Sequence, residues 1–456
     1  MGAAVFICSI SMILYIYAQL RSSLEVETYM KDLIIKMFNL EPDSIEDISC
    51  STCGDHQFVQ ITLNRTSLPC PFCKRYTTKV HDYRQCCISH SIIYDVDTTI
   101  VYNKRRYSCP SCKRSFSEPN PFADPGKRIS RFTVMQVMKL LRNPEITFEF
   151  VAKTVRISKT SVIRIFDSHA GIQTRTLPTC LCIDEVYQQK FQRKEYACVL
   201  VDMISSQIYD LLPSRRKGDL GSYFSTISKE ERARVQYICM DMWDPYREIA
   251  ATYFPKATIC VDSFHVIQAV NRAFTGVRRR VMNEYPSTSD EYYLLKHYSW
   301  LLDQNYRKVD LEKILQLHRT LRFFEGSYIN VRCIIEAMCD LSTELSAAYL
   351  LKYKYEYLNY NADSKTARSA FENYLDELSL YRIPEFRKLS RTLKKWKLPI
   401  IASFNTYEGR RISNGPVESV NSRIKRIKRN ASGYGNFDRF RRRVLYSLND
   451  GSSIVF

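Results

Sequence analysis

The chain has 456 residues, of which 45% are hydrophobic, and it carries 67 Lys or Arg against 48 Asp or Glu. This length allows roughly two to four domains with buried cores and excludes a peptide or a bare linker. The net charge of +19 favours a polyanionic partner, either nucleic acid or an anionic membrane surface. The segment from Arg410 to Arg443 holds 11 Lys or Arg and 2 Asp or Glu, so the basic surface is expected late in the chain.

The N-terminal segment is where the sequence points to a membrane. Ala3 to Leu20 are almost all apolar and long enough to cross a bilayer as a helix. No Lys or Arg precedes Arg21, so a signal peptide is not indicated. The alternatives are a membrane anchor and an apolar extension, residues 1–29, that precedes the functional start at Met30. We favour the second alternative, in which residues 1–29 are not native and the compact protein begins at Met30. We therefore expect no membrane partner.

Residues 50–116 contain three Cys-x-x-Cys pairs, which are Cys50/Cys53, Cys70/Cys73 and Cys109/Cys112. The second and third pairs each carry Pro after the first Cys, as at a turn, so they are predicted to present four thiolates to one structural Zn²⁺. A hairpin that includes the strand-like run Ile92–Tyr102 would bring them together, and the first pair is expected to stay free. Basic residues around the third pair are predicted to contact DNA phosphates, namely Arg105, Arg106, Lys113 and Arg114.

Helical periodicity begins near residue 129 and is interrupted at residues 143–144. Two short helices are predicted next, over Thr147–Val155 and Ser158–Asp167, with Ser158 as an N-cap. This pattern is typical of a helix-turn-helix whose second helix enters the major groove, although an ordinary helical hairpin in a core is the alternative. The residues expected to be exposed on the second helix are Lys159, Thr160, Ser161 and Arg164, and we predict DNA contacts at Lys159 and Arg164.

From Thr179 onward, short apolar runs alternate with amphipathic segments. The predicted order is βββαβαβ, and the runs end at Asp184, Asp241 and Asp262. The 16 Cys are dispersed, and several lie inside these apolar runs, which indicates a reducing cytoplasm. Long amphipathic helices are predicted over about 266–395, before Pro416 begins the helix that carries Glu418.

Asp184, Asp241 and Glu418 are the predicted catalytic residues and Mg²⁺ ligands. Hard cations prefer oxygen ligands, and two Mg²⁺ or Mn²⁺ ions can both activate a nucleophile and neutralise a leaving oxygen in phosphodiester cleavage. Glu185 is expected on the opposite side of the strand, as a salt-bridge or loop residue. Asp244 is expected to cap the following helix.

Further residues are predicted to support this site. Asp262 and His265 form an Asp-x-x-His motif that would orient a metal-bound acid or contact DNA. The alternative for His265 is a histidine buried in the core. Asp262 also competes with Asp241 for the role of second metal ligand. Asn421 and Lys425 share a helix face with Glu418 and are predicted to meet the same phosphate backbone. The remaining predicted DNA contacts lie on the same helix at Arg423, Arg426, Lys428 and Arg429.

The chain resembles bacterial insertion-sequence transposases of the ISL-three family, which belong to the DDE group, from about Met30 to Asn449. The resemblance rests on four motifs, which are Cys182-Ile183-Asp184-Glu185, Met240-Asp241-Met242-Trp243-Asp244-Pro245-Tyr246, Asp262-Ser263-Phe264-His265-Val266 and Asn414-Gly415-Pro416-Val417-Glu418-Ser419. It implies an RNase H-like domain whose neighbouring first and fourth strands bring Asp184 beside Asp241. It also implies binding of terminal inverted repeats, cleavage at the element's ends, and attack by the freed 3′-hydroxyl on target DNA.

The expected protein is a multidomain α+β chain. Its parts are an N-terminal zinc-binding module (30–128), a helix-turn-helix (129–175), an RNase H-like α/β catalytic domain (176–265 and 396–449) and a large helical insertion (266–395). We expect a homo-oligomer on double-stranded DNA, cytoplasmic and nucleoid-associated. The alternatives are a DNA-binding transcriptional regulator derived from a transposase, which the presence of all three acids disfavours, and a membrane-anchored basic protein.

Overall fold

The computed structural model describes residues 31–36, 38, 40–93, 96–191 and 194–456. The apolar run from Ala3 to Leu20, with the alternatives drawn for residues 1–29, lies outside these residues. Within the described ranges, none of the helices has both the length and the hydropathy that a membrane crossing requires.

The first unit is a five-stranded sheet in the order β1-β2-β6-β5, with β7 on β6, beside a small pair β3-β4. Its strands are β1 (Ile45–Cys53), β2 (His56–Leu63), β3 (Leu68–Pro69), β4 (Tyr76–Thr77), β5 (Val80–Ile93), β6 (Val96–Ser108) and β7 (Ser115–Ser117). The predicted hairpin is present as the antiparallel pair β5-β6. The run Ile92–Tyr102 is not one strand, however, because β5 ends and β6 begins within it.

Three helices follow, and their N-caps explain where two of them begin. They are α1 (Arg131–Leu140), α2 (Phe148–Thr154) and α3 (Lys159–His169), after which β8 (Ala170–Gly171) leads onward. The side chains of Thr147 and Ser158 accept N–H groups from the first turns of α2 and α3. The two short helices were therefore predicted correctly to within about two residues, a usual disagreement at helix ends.

A second five-stranded sheet has the order β11-β10-β9-β12-β13. The strands are β9 (Cys180–Phe191), β10 (Lys194–Asp202), β11 (Ile208–Leu212), β12 (Tyr237–Met240) and β13 (Thr258–Val261), with α4 (Lys217–Ser225), α5 (Lys229–Arg232) and α6 (Asp244–Tyr253) between them. β10 runs antiparallel to both neighbours, whereas β12 runs parallel to β9 and to β13. The predicted βββαβαβ order is confirmed, with the short α5 as an addition.

The segment after β13 is mostly helical and has its own apolar core. Its helices are α7 (Ser263–Met282), α8 (Asp290–His297), α9 (Ser299–Asp303), α10 (Val331–Asp340), α11 (Thr343–Asn361), α12 (Ala367–Leu380), α13 (Pro384–Lys395) and α14 (Lys397–Ala402). A two-stranded pair, β14 (Ile314–Gln316) and β15 (Tyr328–Asn330), interrupts the helices, so the prediction of continuous helices there was wrong in this part.

The chain then returns to the second sheet. The closing elements are β16 (Thr406–Tyr407), β17 (Arg410–Arg411), α15 (Gly415–Asn430), α16 (Phe437–Leu448) and β18 (Ser453–Ile454), which pairs with β8. Val417, Val420 and Ile424 of α15 join the apolar core on one face of the sheet, while α4 and α6 pack on the other face. α15 begins at Gly415, one residue before the predicted start at Pro416.

Arg443 of α16 joins the three short helices to this part of the chain. Its side chain is 1% exposed and donates hydrogen bonds to the carbonyls of Leu141, Asn143 and Ile146, the last two at 2.9 and 2.8 Å. A buried guanidinium needs such partners because an unpaired charge in a core is costly. The helix-turn-helix is thereby fixed to the C-terminal helix of the chain.

Candidate functional site

Three carboxylates converge at one edge of the second sheet. Asp184, Glu185 and Asp241 each present an oxygen, and these atoms lie within 4.8 Å of one another. Asp241 directly follows β12, and β12 pairs with β9 only as far as Cys182. The prediction that Asp184 ends its own strand was wrong, because β9 continues beside β10 to Phe191. It is the neighbouring strand that ends here, which leaves room for the acids.

Glu185 lies on the opposite face of β9 from Asp184, as predicted from strand alternation. Its carboxylate pairs with Arg215 and accepts a hydrogen bond from the Tyr246 hydroxyl at 3.1 Å. The guanidinium of Arg215 lies against the Trp243 ring, 4.8 Å from its centroid. The expected salt bridge is confirmed. No pattern in the sequence indicates that Glu185 also reaches the other two acids, or that Arg215 and Tyr246 contact it.

Asn421 of α15 holds Asp184 in place. Its side-chain N–H group donates to Asp184 Oδ2 at 2.8 Å and to the Glu185 carbonyl at 3.2 Å, and only 5% of the residue is exposed. The predicted contact between Asn421 and a DNA phosphate is therefore contradicted, since this amide faces a carboxylate in the core. Burial raises the pKa of Asp184 to about 7, and the charge of Asp241 acts in the same direction.

His265 and Asp262 have different environments although they lie on one Asp-x-x-His step. The His265 Nε2 atom lies 2.8 Å from Asp241 Oδ1. Burial alone would lower the pKa of His265, but the adjacent Asp241 carboxylate outweighs burial and raises that pKa. Asp262 is 3% exposed and accepts backbone N–H groups of Phe264 and Asn414, at 3.1 and 2.9 Å. Asp262 thus caps α7 and ties it to the start of α15, whereas Asp241 belongs to the carboxylate group.

Glu418 lies in the first turn of α15, one turn before Asn421. Its side chain is exposed, and within the described residues it is not among the converging carboxylates. Partial burial of its carboxyl group, and then the charges of Asp262 and Asp241, raise the pKa of Glu418, so the same site acts on it electrostatically. Lys425 is exposed one turn after Asn421.

Asp244 lies in the first turn of α6, but Trp243 is the N-cap of that helix, so the capping prediction is off by one residue.

A second group of possible metal ligands lies in the N-terminal unit. The Sγ atoms of Cys70, Cys73, Cys109 and Cys112 lie within 4.8 Å of one another. The carbonyls of Cys70 and Cys109 accept the N–H groups of Lys74 and Lys113 at 2.8 and 2.9 Å. These two lysines have φ of 63° and 57°, so the two turns have the same form. Cys50 and Cys53 are exposed on β1 and do not belong to the group.

The predicted DNA-contacting residues differ in accessibility. Arg105 is 2% exposed and donates to the Asn64 carbonyl at 2.8 Å, so a DNA contact there is contradicted. Lys428 is half-buried and donates to the Tyr187 carbonyl at 2.8 Å. Ser161 is half-buried beside its capping partner Ser158. The other predicted contacts are exposed, which are Arg106, Lys113, Arg114, Lys159, Arg164, Arg423, Arg426 and Arg429.

Two segments of the chain match known protein families, and the longer one contains the acids and nearly all of the second sheet. Residues 181–444 match the family model of the ISL3 DDE transposases, described as a transposase. Residues 118–170 match the helix-turn-helix domain of transposase family ISL3. Because the first match covers more than half of the chain, the protein belongs to the ISL3, or ISL-three, family of transposases.

The chain is also similar to one particular transposase. The chain is 24% identical over 261 residues to the transposase for insertion sequence element IS1001 of Bordetella parapertussis. The aligned stretch is 57% of this chain and 58% of that relative. The chain therefore spans less than two thirds of the relative's length.

Proposed function

We propose that this chain is a DNA transposase that binds the terminal inverted repeats of its insertion sequence and catalyses Mg²⁺-dependent strand cleavage and strand transfer. The observation that carries the proposal is the meeting of Asp184 and Asp241 from adjacent parallel strands, with oxygens within 4.8 Å. Two carboxylates this close repel each other unless a cation or a proton lies between them. A site of this kind suits metal-dependent phosphodiester chemistry.

The sheet supports an RNase H-like catalytic domain. Its first and fourth strands, β9 and β12, are neighbours, as that fold requires in the resemblance drawn from the sequence. We propose that this domain comprises residues 176–265 and 396–449, and that residues 266–395 form a helical insertion within it. The separate apolar core of the insertion supports this division.

Asp184, Asp241 and Glu418 are the proposed ligands of two Mg²⁺ or Mn²⁺ ions. Oxygen donors on hard carboxylates fit such ions, and Glu418 lies on the helix that contacts Asp184. When bound, the ions would activate the attacking water or 3′-hydroxyl and offset charge on the leaving oxygen. Glu185 is the competing third ligand because it is closer to the two aspartates, but Arg215 already neutralises it.

The chain's own residues would keep this site ordered. Asn421 fixes the orientation of Asp184 through its amide, and His265 does the same for Asp241. Second partners of this kind hold ligands in the geometry that a metal needs. Lys425, exposed on the same helix as Glu418, would contact a phosphate of the bound DNA.

DNA recognition is proposed for the two N-terminal units. In the zinc-binding module, residues 30–128, the four thiolates fit one Zn²⁺, since a tetrahedron with Zn–S of about 2.3 Å has S···S of about 3.8 Å. The Sγ atoms of Cys70 and Cys112 are 3.6 Å apart, and those of Cys73 and Cys109 are 3.5 Å apart. In the helix-turn-helix, residues 129–175, Lys159 and Arg164 of α3 face outward for groove or backbone contacts. We propose that the protein acts as a homo-oligomer on its DNA.

The test compares single isosteric substitutions in the full chain. Asp184→Asn, Asp241→Asn, Glu418→Gln and Glu185→Gln would be incubated with Mn²⁺ and duplexes carrying the DNA that flanks the reading frame. We expect the first three to reduce strand cleavage by at least about 10³-fold, because each removes a ligand charge that stabilises the transition state. Binding to the same duplexes should persist in all four.

Glu185→Gln is the matched control, since it removes a carboxylate that lies among the converging oxygens but is already paired with Arg215. Retained cleavage with Glu418→Gln but not with Glu185→Gln would exchange their roles and reject Glu418 as a ligand. Specific duplex binding by the wild-type chain without any cleavage would reject the enzyme in favour of a DNA-binding regulator.

A further inference from the structure

Helix α13, in the helical insertion, carries a face made almost wholly of cations. Four of its basic residues lie within about a third of the helix circumference, given 3.6 residues per turn, and all four are exposed. A fifth, Lys395, completes the face at the C-terminal end of the helix. The five residues are Arg387, Lys388, Arg391, Lys394 and Lys395. We call this set the α13 basic face.

The opposite side of α13 is apolar and buried. Phe386, Leu389 and Leu393 are at most 5% exposed and belong to the core of the helical insertion. A basic amphipathic helix that binds a membrane must offer its apolar side to the lipid. Here that side is already used in folding, so the α13 basic face fits a hydrated polyanion and not a bilayer.

The cations of this face have little counter-charge on the protein. Of the five, Lys395 is ion-paired, with Asp244 at 2.5 Å, and the other four form no ion pair in the part of the chain that the structure describes. The one acid of the helix, Glu385, is used by Arg280 of α7 at 3.0 Å. Exposed like charges on one face of a helix repel each other and do not stabilise the fold, so an external polyanion that neutralises them would bind this face favourably.

The α13 basic face reaches the carboxylate site. Asp244, the partner of Lys395, lies three residues after Asp241 at the start of α6. Arg247, which also pairs with Asp244, places its guanidinium 4.6 Å from the centroid of the Trp396 ring, next to the end of α13. The basic face therefore starts beside the carboxylates and extends away from them along the insertion.

We propose that the α13 basic face binds the phosphate backbone of duplex DNA that runs from the carboxylate site across the helical insertion. This deepens the proposed function, on which it rests for the identity of the polyanion, by giving the insertion a substrate-binding role. The helix has 12 residues. At about 1.5 Å per residue it is about 18 Å long, which matches about five base pairs of duplex. Exposed Lys and Arg along such a length would contact phosphates without reading sequence.

The test measures the salt dependence of duplex binding by the full chain. Arg387→Gln, Arg391→Gln and Lys394→Gln are combined in one variant. The control variant combines Lys229→Gln, Arg234→Gln and Lys256→Gln. These three exposed cations lie in α5 and in the loops that precede β12 and β13, before the strands that lead to Asp241 and Asp262. Each would be titrated with a random duplex of about 40 base pairs between about 50 and 200 mM salt, because each phosphate contact adds about 0.9 to the slope of log K against log salt.

We expect the α13 variant to lower the slope by roughly 2 to 3 and weaken binding at the lowest salt by at least about tenfold, while the control keeps the wild-type slope. An unchanged slope in the α13 variant, or an equal fall in the control, would overturn the proposal. Loss of binding to phosphatidylserine vesicles by the α13 variant, with DNA binding intact, would also overturn it in favour of a membrane surface. Because the readout is binding, it remains informative even if the cleavage assay shows the protein not to be a transposase.

Discussion

The two candidate metal-ligand groups of this protein differ in how they are assembled. The thiolate group comes from two short turns of the same form, in which the carbonyls of Cys70 and Cys109 accept the N–H groups of Lys74 and Lys113. The carboxylate group comes from two strands and is surrounded by side chains from several other elements. The thiolate group is therefore encoded in two local segments, whereas the carboxylate group exists only when distant segments pack.

The electrostatics of the two groups differ in the same way. The Cys112 backbone N–H lowers the pKa of Cys109 to about 6. Cys112 is shifted the other way, because the Arg114 backbone N–H is outweighed by burial and the three neighbouring thiols, which raise its pKa to about 11, so the four thiols need a cation in order to ionise together. Burial raises the pKa of Asp184 to about 7, so its charge is disfavoured by the packed surroundings. The backbone N–H of Glu185 and the charge of His265 partly offset this cost, and Asn421 donates a further hydrogen bond to the carboxylate. The thiolate group should therefore depend on its metal for folding, and the carboxylate group on its neighbours.

The largest effect is expected from Cys109→Ser. Loss of one thiolate should abolish zinc binding and remove on the order of 10 kcal/mol of stabilisation from the N-terminal unit. Zinc content and amide hydrogen exchange would be measured together, and protection should disappear in β5 and β6 but persist in β9. Cys50→Ser, an exposed Cys on β1, is the control and should change neither. Full zinc content in Cys109→Ser would contradict a four-thiolate site.

A smaller effect is expected at the carboxylates from Asn421→Leu, which keeps the branched side-chain shape but removes the amide. Asp184 should lose its fixed orientation, and Mn²⁺ affinity should fall about 10- to 100-fold, with zinc content unchanged. Mn²⁺ titration followed by electron paramagnetic resonance measures this. Ser419→Ala, on an exposed side of the same helix, is the control. Equal Mn²⁺ affinity in the two variants would show that Asp184 does not need its amide partner.

Arg215→Met tests how far charge balance stabilises the acids without metal. The apo protein should lose about 2 kcal/mol, because Glu185 keeps its burial but loses a charged partner. Added Mn²⁺ should stabilise this variant more than the wild type, since Glu185 becomes free to bind it. Hydrogen exchange of β9 with and without Mn²⁺ gives both values. Lys217→Met, which removes an exposed pair with Glu248, should cost about 0.5 kcal/mol or less. The idea fails if Arg215→Met is no less stable than that control.

The smallest effect is expected from Tyr246→Phe, which removes one hydrogen bond to Glu185 and leaves the buried ring in place. The cost should be about 1 kcal/mol in the exchange of β9. Tyr253→Phe, on the same helix α6, is a suitable control. A loss as large as that of Arg215→Met would mean that the hydroxyl, and not the guanidinium, is the main partner of Glu185.

Local patterns account for what could be predicted from the sequence. The Cys-Pro-x-Cys pairs, the caps at Thr147 and Ser158, and the alternation of apolar runs with helices depend on residues close together in the chain, and each was found. The DNA contact predicted for Arg105 was wrong because the sequence pattern of a strand does not show whether a basic residue faces solvent or a buried acid such as Glu118. Asn421 was given a phosphate partner for a similar reason, since the helix pattern does not say what lies opposite that face.

The two Cys-Pro-x-Cys turns, the order of strands and helices between Thr179 and Asp262, and the acids that follow apolar runs could all be predicted from the sequence alone, because they depend on spacing and on local backbone preference. Tertiary packing alone places the end of β12 beside Asp184 and brings Arg215 and Tyr246 into contact with Glu185. It also directs the backbone N–H groups of Phe264 and Asn414 to the Asp262 carboxylate. These features depend on which strand stops first and on which side chains enter the space left open. That space depends on packing between residues far apart in the chain, so it cannot be predicted from a local sequence pattern.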